Sequence, residues 1–263
     1  MNMRVAQITN TVSGNTALPQ LDYAALVAAG VVVPEFEDDA YADFCFDLGD
    51  SRSLQSRVSG PKLTPANTVP AYGSGFLTVQ SGGLNGLISP LSDVGSKTVV
   101  AIVKRPTNPT AVAVISQSAQ TGAGDDNGFF TYFTSAGYVS ATLRTAGTDT
   151  FLNIAGVAAG TSVGDWIFTA LTETKNVDGT YDDRLWVGLA GGPLSSVAAG
   201  VARRESSRAV AFGNAYDATT NYAERAVPLH RGLLYRKALT TDELAGLYAR
   251  SKILAARRGI TIV

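Results

Sequence analysis

The sequence predicts a mainly β protein, two antiparallel sheets packed as a sandwich, preceded by an N-terminal extension and closed by one C-terminal helix. Three observations carry this. From residue 98 onward, short β-branched and aromatic runs alternate with glycine-centred turns. The 263 residues are 45% hydrophobic and only 16% charged, with 27 glycines, which suits short buried strands joined by tight turns. A strong helix start occurs near the end, Thr240-Thr-Asp-Glu243, where a hydroxyl three residues before a glutamate can form a capping box.

In chain order, residues 1–20 are polar and rich in Thr and Asn, and read as an extended arm. Asp22 to Gly30 reads as a short helix, with Asp22 as N-cap and Gly30 past its end, before Val31-Val-Val-Pro34 returns to extended chain. The acidic run Glu35-Phe-Glu-Asp-Asp39 reads as a solvated linker into a first strand at Asp43–Leu48. From there to about residue 97, scattered Gly, Ser and Pro leave few regular runs. Strands are then expected at 98–105, 111–117, 128–134, 138–144, 150–154, 166–174, 184–190, 208–212 and 232–236. Ser135-Ala-Gly137 and Thr145-Ala-Gly147 predict a meander, since three-residue loops with glycine are common in hairpins. The helix is expected over 241–258, with Leu244, Leu247, Tyr248, Ile253 and Leu254 at helical spacing and Arg250, Lys252, Arg257 and Arg258 at its carbonyl-rich end. The organisation is an arm over 1–42 and a sandwich over 43–263.

The last third carries a family resemblance. A Trp-led strand, Trp166-Ile-Phe-Thr-Ala-Leu-Thr, is followed by Arg184-Leu-Trp-Val-Gly, by Ala209-Val-Ala-Phe-Gly, and by Leu233-Leu-Tyr running through Lys-Ala-Leu into the helix start at Thr240. This order resembles the concanavalin A-like lectin/glucanase jelly roll in its laminin-G-like form, over residues 44–250, with the specific features in the C-terminal half. The resemblance implies a jelly roll with Trp166 and Trp186 at core positions. Bacteriophage particles frequently carry such domains, so it also implies a virion protein of tail, baseplate or capsid surface.

Charge and composition exclude several classes. With 21 basic and 22 acidic residues the net charge is −1, too little to gather phosphate backbones, and nucleic acid is not an expected partner. The single cysteine, Cys45, lies in the apolar run Phe44-Cys-Phe46 and is expected to be buried and inert. No stretch of membrane-spanning length occurs, and Met1 to Gln7 has no apolar core of signal-peptide type. The expectation is a protein assembled in a host cytoplasm into a virion, with residues 1–40 contacting other virion proteins and copies of itself; Leu21, Leu26, Val27 and Val31–Val33 would form the apolar contact patch.

The chemistry is sparse. Glucanases of the resembled fold place carboxylates at alternate positions of one strand, as acid and nucleophile. Residues 98–213 contain no Glu-x-Asp or Asp-x-Glu pair, and Glu35 and Glu37 precede the sandwich, so no catalytic residue and no glycosidase activity are expected. His230, the only histidine, has no Gly-x-Ser-x-Gly elbow to serve and reads as structural. Laminin-G-like domains often bind calcium at a rim. The candidate ligands are Asp125, Asp126 and Asn127, with Asp178, Asp182 and Asp183 second, although Asp-Asn-Gly and Asp-Gly also simply favour turns. A glycan or protein contact would use an aromatic beside amides and carboxylates, the mixture found in Asn214, Tyr216, Asp217, Asn221 and Tyr222. Two function classes follow. One is a non-catalytic structural or adhesive virion component with a lectin-like domain that contacts neighbouring subunits or host-surface glycans; the other is a carbohydrate-binding module or degenerate glucanase acting on a polysaccharide.

Overall fold

The run Lys97-Thr-Val-Val-Ala-Ile-Val-Lys104 is apolar at nearly every position because both of its faces are covered. Val99, Ala101 and Val103 point into the space between two sheets, and Val100 and Ile102 point away from it toward a helix. That strand is the centre of the fold. The computed structural model describes residues 34–58, 60–82, 84–92, 95–107, 111–118, 127–145, 148–189, 192–201, 205–214, 216 and 225–263. Residues 35–263 form one compact unit, and the division from the preceding unit falls after Pro34. Of the expected arm over 1–42, residues 1–33 lie outside the described residues.

The strands are β1 (Ala42–Cys45), β2 (Thr64–Pro65), β3 (Ala71–Tyr72), β4 (Leu77–Gln80), β5 (Gly86–Ile88), β6 (Lys97–Lys104), β7 (Val112–Ser116) and β8 (Gly128–Phe133). They continue with β9 (Val139–Thr145), β10 (Thr148–Ile154), β11 (Trp166–Lys175), β12 (Tyr181–Val187), β13 (Ser195–Val201), β14 (Ala211–Gly213) and β15 (Ala226–Tyr235). A short helix α1 (Gly156–Gly160) joins β10 to β11, and α2 (Thr241–Ala256) follows β15. Sheet I runs β13-β12-β11-β6-β15-β4-β3, with β1 also paired to β15, and sheet II runs β10-β9-β8-β7-β14-β5-β2. All pairings are antiparallel. The chain is therefore the expected two-sheet jelly-roll-like sandwich.

The meander β8-β9-β10 forms as expected; of its second turn, Ala146 and Gly147 lie outside the described residues. Thr134 and Tyr138 close the first hairpin, with Gly137 donating to the Thr134 carbonyl at 2.9 Å. The β11–β12 hairpin turns at Asp178-Gly179, where the Asp178 carboxylate accepts from the Thr180 amide and hydroxyl at 2.9 and 2.6 Å.

Two hydrophobic layers result. The first lies between the sheets and includes Phe44, Phe46, Phe129, Phe133, Leu185 and Phe212. The second lies on the outer face of sheet I, where α2 packs Leu244, Leu247, Tyr248 and Ala255 against Trp166, Phe168 and Trp186. Trp166 and Trp186 are buried on neighbouring strands, as expected, but they face the helix and not the other sheet. The α2 capping box is complete, Glu243 N to Thr240 Oγ1 at 3.3 Å and Thr240 N to a Glu243 oxygen at 2.7 Å. Ile253 is exposed, while Ser251 and Ala255 occupy buried positions, so the apolar stripe is narrower than its spacing suggests.

Other expectations are corrected. The stretch 64–88 holds four short strands of two to four residues, too brief to show a period. β13 was not expected, because Ser-Ser-Val-Ala-Ala-Gly-Val is poor in β-formers. β12 starts at Tyr181 instead of residue 184, and β15 starts at Ala226 instead of 232. The reason for the latter is a bulge: Leu229 pairs with Val103 and Arg231 with Ile102, leaving His230 as the extra residue. His230, which reads as structural in sequence, and Arg231 beside it are both buried. Arg231 Nε donates to Asp43 Oδ1 at 2.9 Å and its Nη2 bonds Asp43 Oδ2. Glu37, expected in a solvated linker, is buried as well. It pairs with Arg250 of α2 at 2.7 Å, and its amide donates to Asp43 Oδ2 at 2.9 Å.

Candidate functional site

Alternation decides which side chains sheet II turns outward. Phe129, Phe133, Val139, Ala141, Leu143, Leu152 and Ile154 fill the inter-sheet core, so the residues between them face away. The register assembles these into cross-strand rungs. Tyr132, Ser140 and Asn153 share one rung; Phe130, Thr142 and Phe151 the next; Arg144 and Asp149 a third. Ser140 Oγ donates to Asn153 Oδ1 at 2.5 Å, Thr142 Oγ1 to Tyr132 Oη at 3.3 Å, and Arg144 Nη2 to Asp149 Oδ2 at 3.0 Å. Phe130, Ser140, Thr142 and Arg144 are buried, whereas Phe151 is 56% exposed and Asn153 and Asp149 are open along β10. An exposed aromatic beside amide and carboxylate groups, backed by fixed hydroxyls, is the equipment for stacking on a sugar ring and bonding its hydroxyls. The centre of the equivalent face of sheet I, over β6, β11 and β15, is covered by α2.

The residues nominated from sequence lie elsewhere. Asp125, Asp126, Asp217, Asn221 and Tyr222 fall outside the described residues. Asn127 is half-buried just before β8, and Asn214 has no exposed surface at the end of β14. Tyr216 is half-buried. Its hydroxyl donates to the Ala209 carbonyl at 2.7 Å, the Arg208 guanidinium lies 5.2 Å from its ring centre, and burial pushes its pKa up to about 12. Asp178, Asp182 and Asp183 do not converge on one point. Asp178 is used by Thr180, and Asp182 and Asp183 project to opposite faces of β12. Among the described residues no three His, Cys, Asp or Glu side chains gather as metal ligands.

Two carboxylates share one face on neighbouring strands, not at alternate positions of one strand. Glu173 of β11 and Asp183 of β12 are register partners with no exposed surface, and Lys97 Nζ lies 2.5 Å from Glu173 Oε2. They lie inside the sandwich with Lys97 beside the Phe129 ring. His230 is buried in the layer on the outer face of sheet I, its Nδ1 2.7 Å from the Gly75 carbonyl and its ring edge-on to Trp166, and burial lowers its pKa. Cys45 is buried and free, its thiol pushed up to about 11 by burial. A shallow depression of about 490 Å³ beside Leu48 holds Arg52 and Arg57, but these cations are already paired with Asp50 and Asp47.

No family model and no curated protein sequence matches the chain. Solved structures do. The receptor-binding domain of botulinum neurotoxin D is 13% identical, with 82% of this chain and 54% of that chain covered and a TM-score of 0.55. A structure of botulinum neurotoxin type C, described as entering cells through interaction with two ganglioside molecules, is 10% identical over 81% of this chain and 51% of that one, with a TM-score of 0.56. At these identities the likeness is one of fold, a two-sheet β sandwich. The chain spans about half the length of these structures.

Sequence reasoning missed Phe151, Asn153, Ser140 and Thr142 as a group. The signal was present in the two expected hairpins, because fixing their register places Tyr132, Ser140 and Asn153 on one face.

Proposed function

We propose that this protein is a non-catalytic, lectin-like glycan-binding module, with the exposed outer side of β10 in sheet II as its contact surface. The observation that carries this reading is Phe151, 56% exposed in the middle of a strand and flanked by Asn153 and Asp149. An exposed ring on a strand presents a flat apolar face on which a pyranose can stack, with the neighbouring amide and carboxylate placed to bond its hydroxyls. The fold shared with neurotoxin receptor-binding domains, one of them tied to gangliosides, supports a glycan as the partner class. The non-catalytic part is supported by the seclusion of Glu173 and Asp183, since glycosidases need their two carboxylates across an open groove, about 5–10 Å apart. The particle setting, a laminin-G-like adhesive domain on a bacteriophage virion joined through residues 1–40, rests on the family resemblance and the Thr/Asn-rich arm.

A glycan array followed by titration calorimetry tests the binding surface. Phe151→Ala and Asn153→Ala should each weaken the best array hit at least tenfold without lowering the melting temperature. A hit that survives both substitutions places binding elsewhere, and an array with no hit removes the reading. Reducing-end release from a polysaccharide panel, abolished by Glu173→Gln or Asp183→Asn in a still-folded chain, would overturn the non-catalytic part.

A further inference from the structure

β13 ends sheet I, hydrogen-bonded to β12 along one side and to no described strand along the other, with β10 of sheet II lying close to it. Edge strands are normally blunted by a charge, a proline or a bulge, because their free amides and carbonyls template pairing with another chain. β13 has none of these. Its sequence is Ser-Ser-Val-Ala-Ala-Gly-Val, and its pairing with β12 runs from Ser195 to Val201 without a register shift. Ser196, Ala198 and Gly200 are exposed on the outer face, and Val197 and Ala199 pack toward the core.

The charges on β12 lean onto this strand. Arg184 Nη1 lies 3.4 Å from Ser196 Oγ. Asp182 Oδ1 stands 3.4 Å from where a Cβ on Gly200 would be, so the absent side chain of Gly200 leaves room for the carboxylate. One cation thus lies over Ser196 and one anion over Gly200, two residues to either side of Ala198.

We infer that a second copy of the chain pairs here, β13 antiparallel to β13 about a two-fold axis at Ala198, making one continuous sheet from two copies of sheet I. This register uses the whole strand and sets Ser196 opposite Gly200 of the partner subunit. Arg184 then meets Asp182 of the partner subunit across one strand spacing of about 4.8 Å, and the symmetry repeats the pair. A foreign strand could take the same backbone bonds but would not supply this doubled charge match.

Sedimentation of the full chain over a wide concentration range tests the inference, with hydrogen exchange read at β13. A concentration-dependent dimer is expected, with β13 amides protected only in the dimer. Ala198→Lys, which sets two ammonium groups at the axis, should dissociate it while leaving the circular dichroism unchanged. Asp182→Arg and Arg184→Asp should each raise the dissociation constant at least tenfold, and the double exchange should restore it to within about threefold of wild type, because the pair re-forms with reversed polarity. A chain that stays monomeric throughout, or a dimer indifferent to Ala198→Lys and to both single reversals, overturns the proposal.

Discussion

Replacing Gly232 by alanine drives a methyl group into the ring of Phe212. Gly232 sits in β15 facing the inter-sheet core, and a Cβ built there lies 2.5 Å from Phe212 Cζ and 2.9 Å from Cε1 and Cε2. Carbon pairs are most stable at about 3.5–4.0 Å. The ring has no room to swing, being fully buried with Phe44 and Phe46 edge-on to it at 6.3 and 6.2 Å. The backbone at Gly232 is ordinary strand, so the penalty is steric. Overpacking of this kind costs about 1–3 kcal/mol, and alanine's smaller backbone entropy loss in a strand returns about 0.5–1 kcal/mol. A net loss of about 1–2 kcal/mol follows, or roughly 2–8 °C in Tm for a domain of this size. Phe212→Leu alone should destabilise by opening a cavity. In the double variant the shorter leucine makes space for the methyl, so urea and thermal unfolding should show a coupling of about 1 kcal/mol or more. Additive losses within about 0.5 kcal/mol, or a Gly232→Ala chain as stable as wild type, would refute the notch-and-ring reasoning.

Trp186→Ala should cost about 3–5 kcal/mol, since the indole is 4% exposed beneath α2. Trp186→Phe should cost about 1 kcal/mol more than its lost packing, because Nε1 donates to Thr172 Oγ1 at 3.1 Å; equal melting temperatures for wild type and Trp186→Ala would move the residue out of the core. Asp43→Ala should cost about 3–5 kcal/mol by stranding the buried Arg231 guanidinium, and calorimetry showing a loss under 1 kcal/mol would mean another anion takes over. His230 titrates below its ordinary value because burial disfavours the imidazolium. The unfolded chain takes up its proton as pH falls through about 6.5 while the folded chain still resists it. The stability this residue contributes is therefore present above that pH and lost below it. Urea midpoints measured from pH 8 to 5 should fall more steeply for wild type than for His230→Gln, and parallel slopes would sink the assignment.

What the sequence by itself determined are the features whose partners lie within a few residues. The Thr240–Glu243 capping box, the Gly137 and Gly179 hairpin turns and the strand pattern of 97–175 are satisfied by chemistry inside a single turn or a single hairpin, so reading them needs no knowledge of what packs above. The same holds for the buried, inert Cys45, whose apolar neighbours are adjacent in the chain. What only the tertiary structure decided depends on contacts made across long separations. Glu37 looks like a solvated acid until Arg250, 213 residues away, closes on it. Nothing near His230 and Arg231 in sequence marks their buried partners, which come from far away: Trp166 for His230 and Asp43 on β1 for Arg231. The weak run at 195–201 becomes a strand only because β12 supplies its hydrogen bonds, and the platform of Phe151 and Asn153 exists only because the register of three strands brings it to one face. Local chemistry selects the elements; the pairing of distant backbones decides which face, and so which function, each side chain is given.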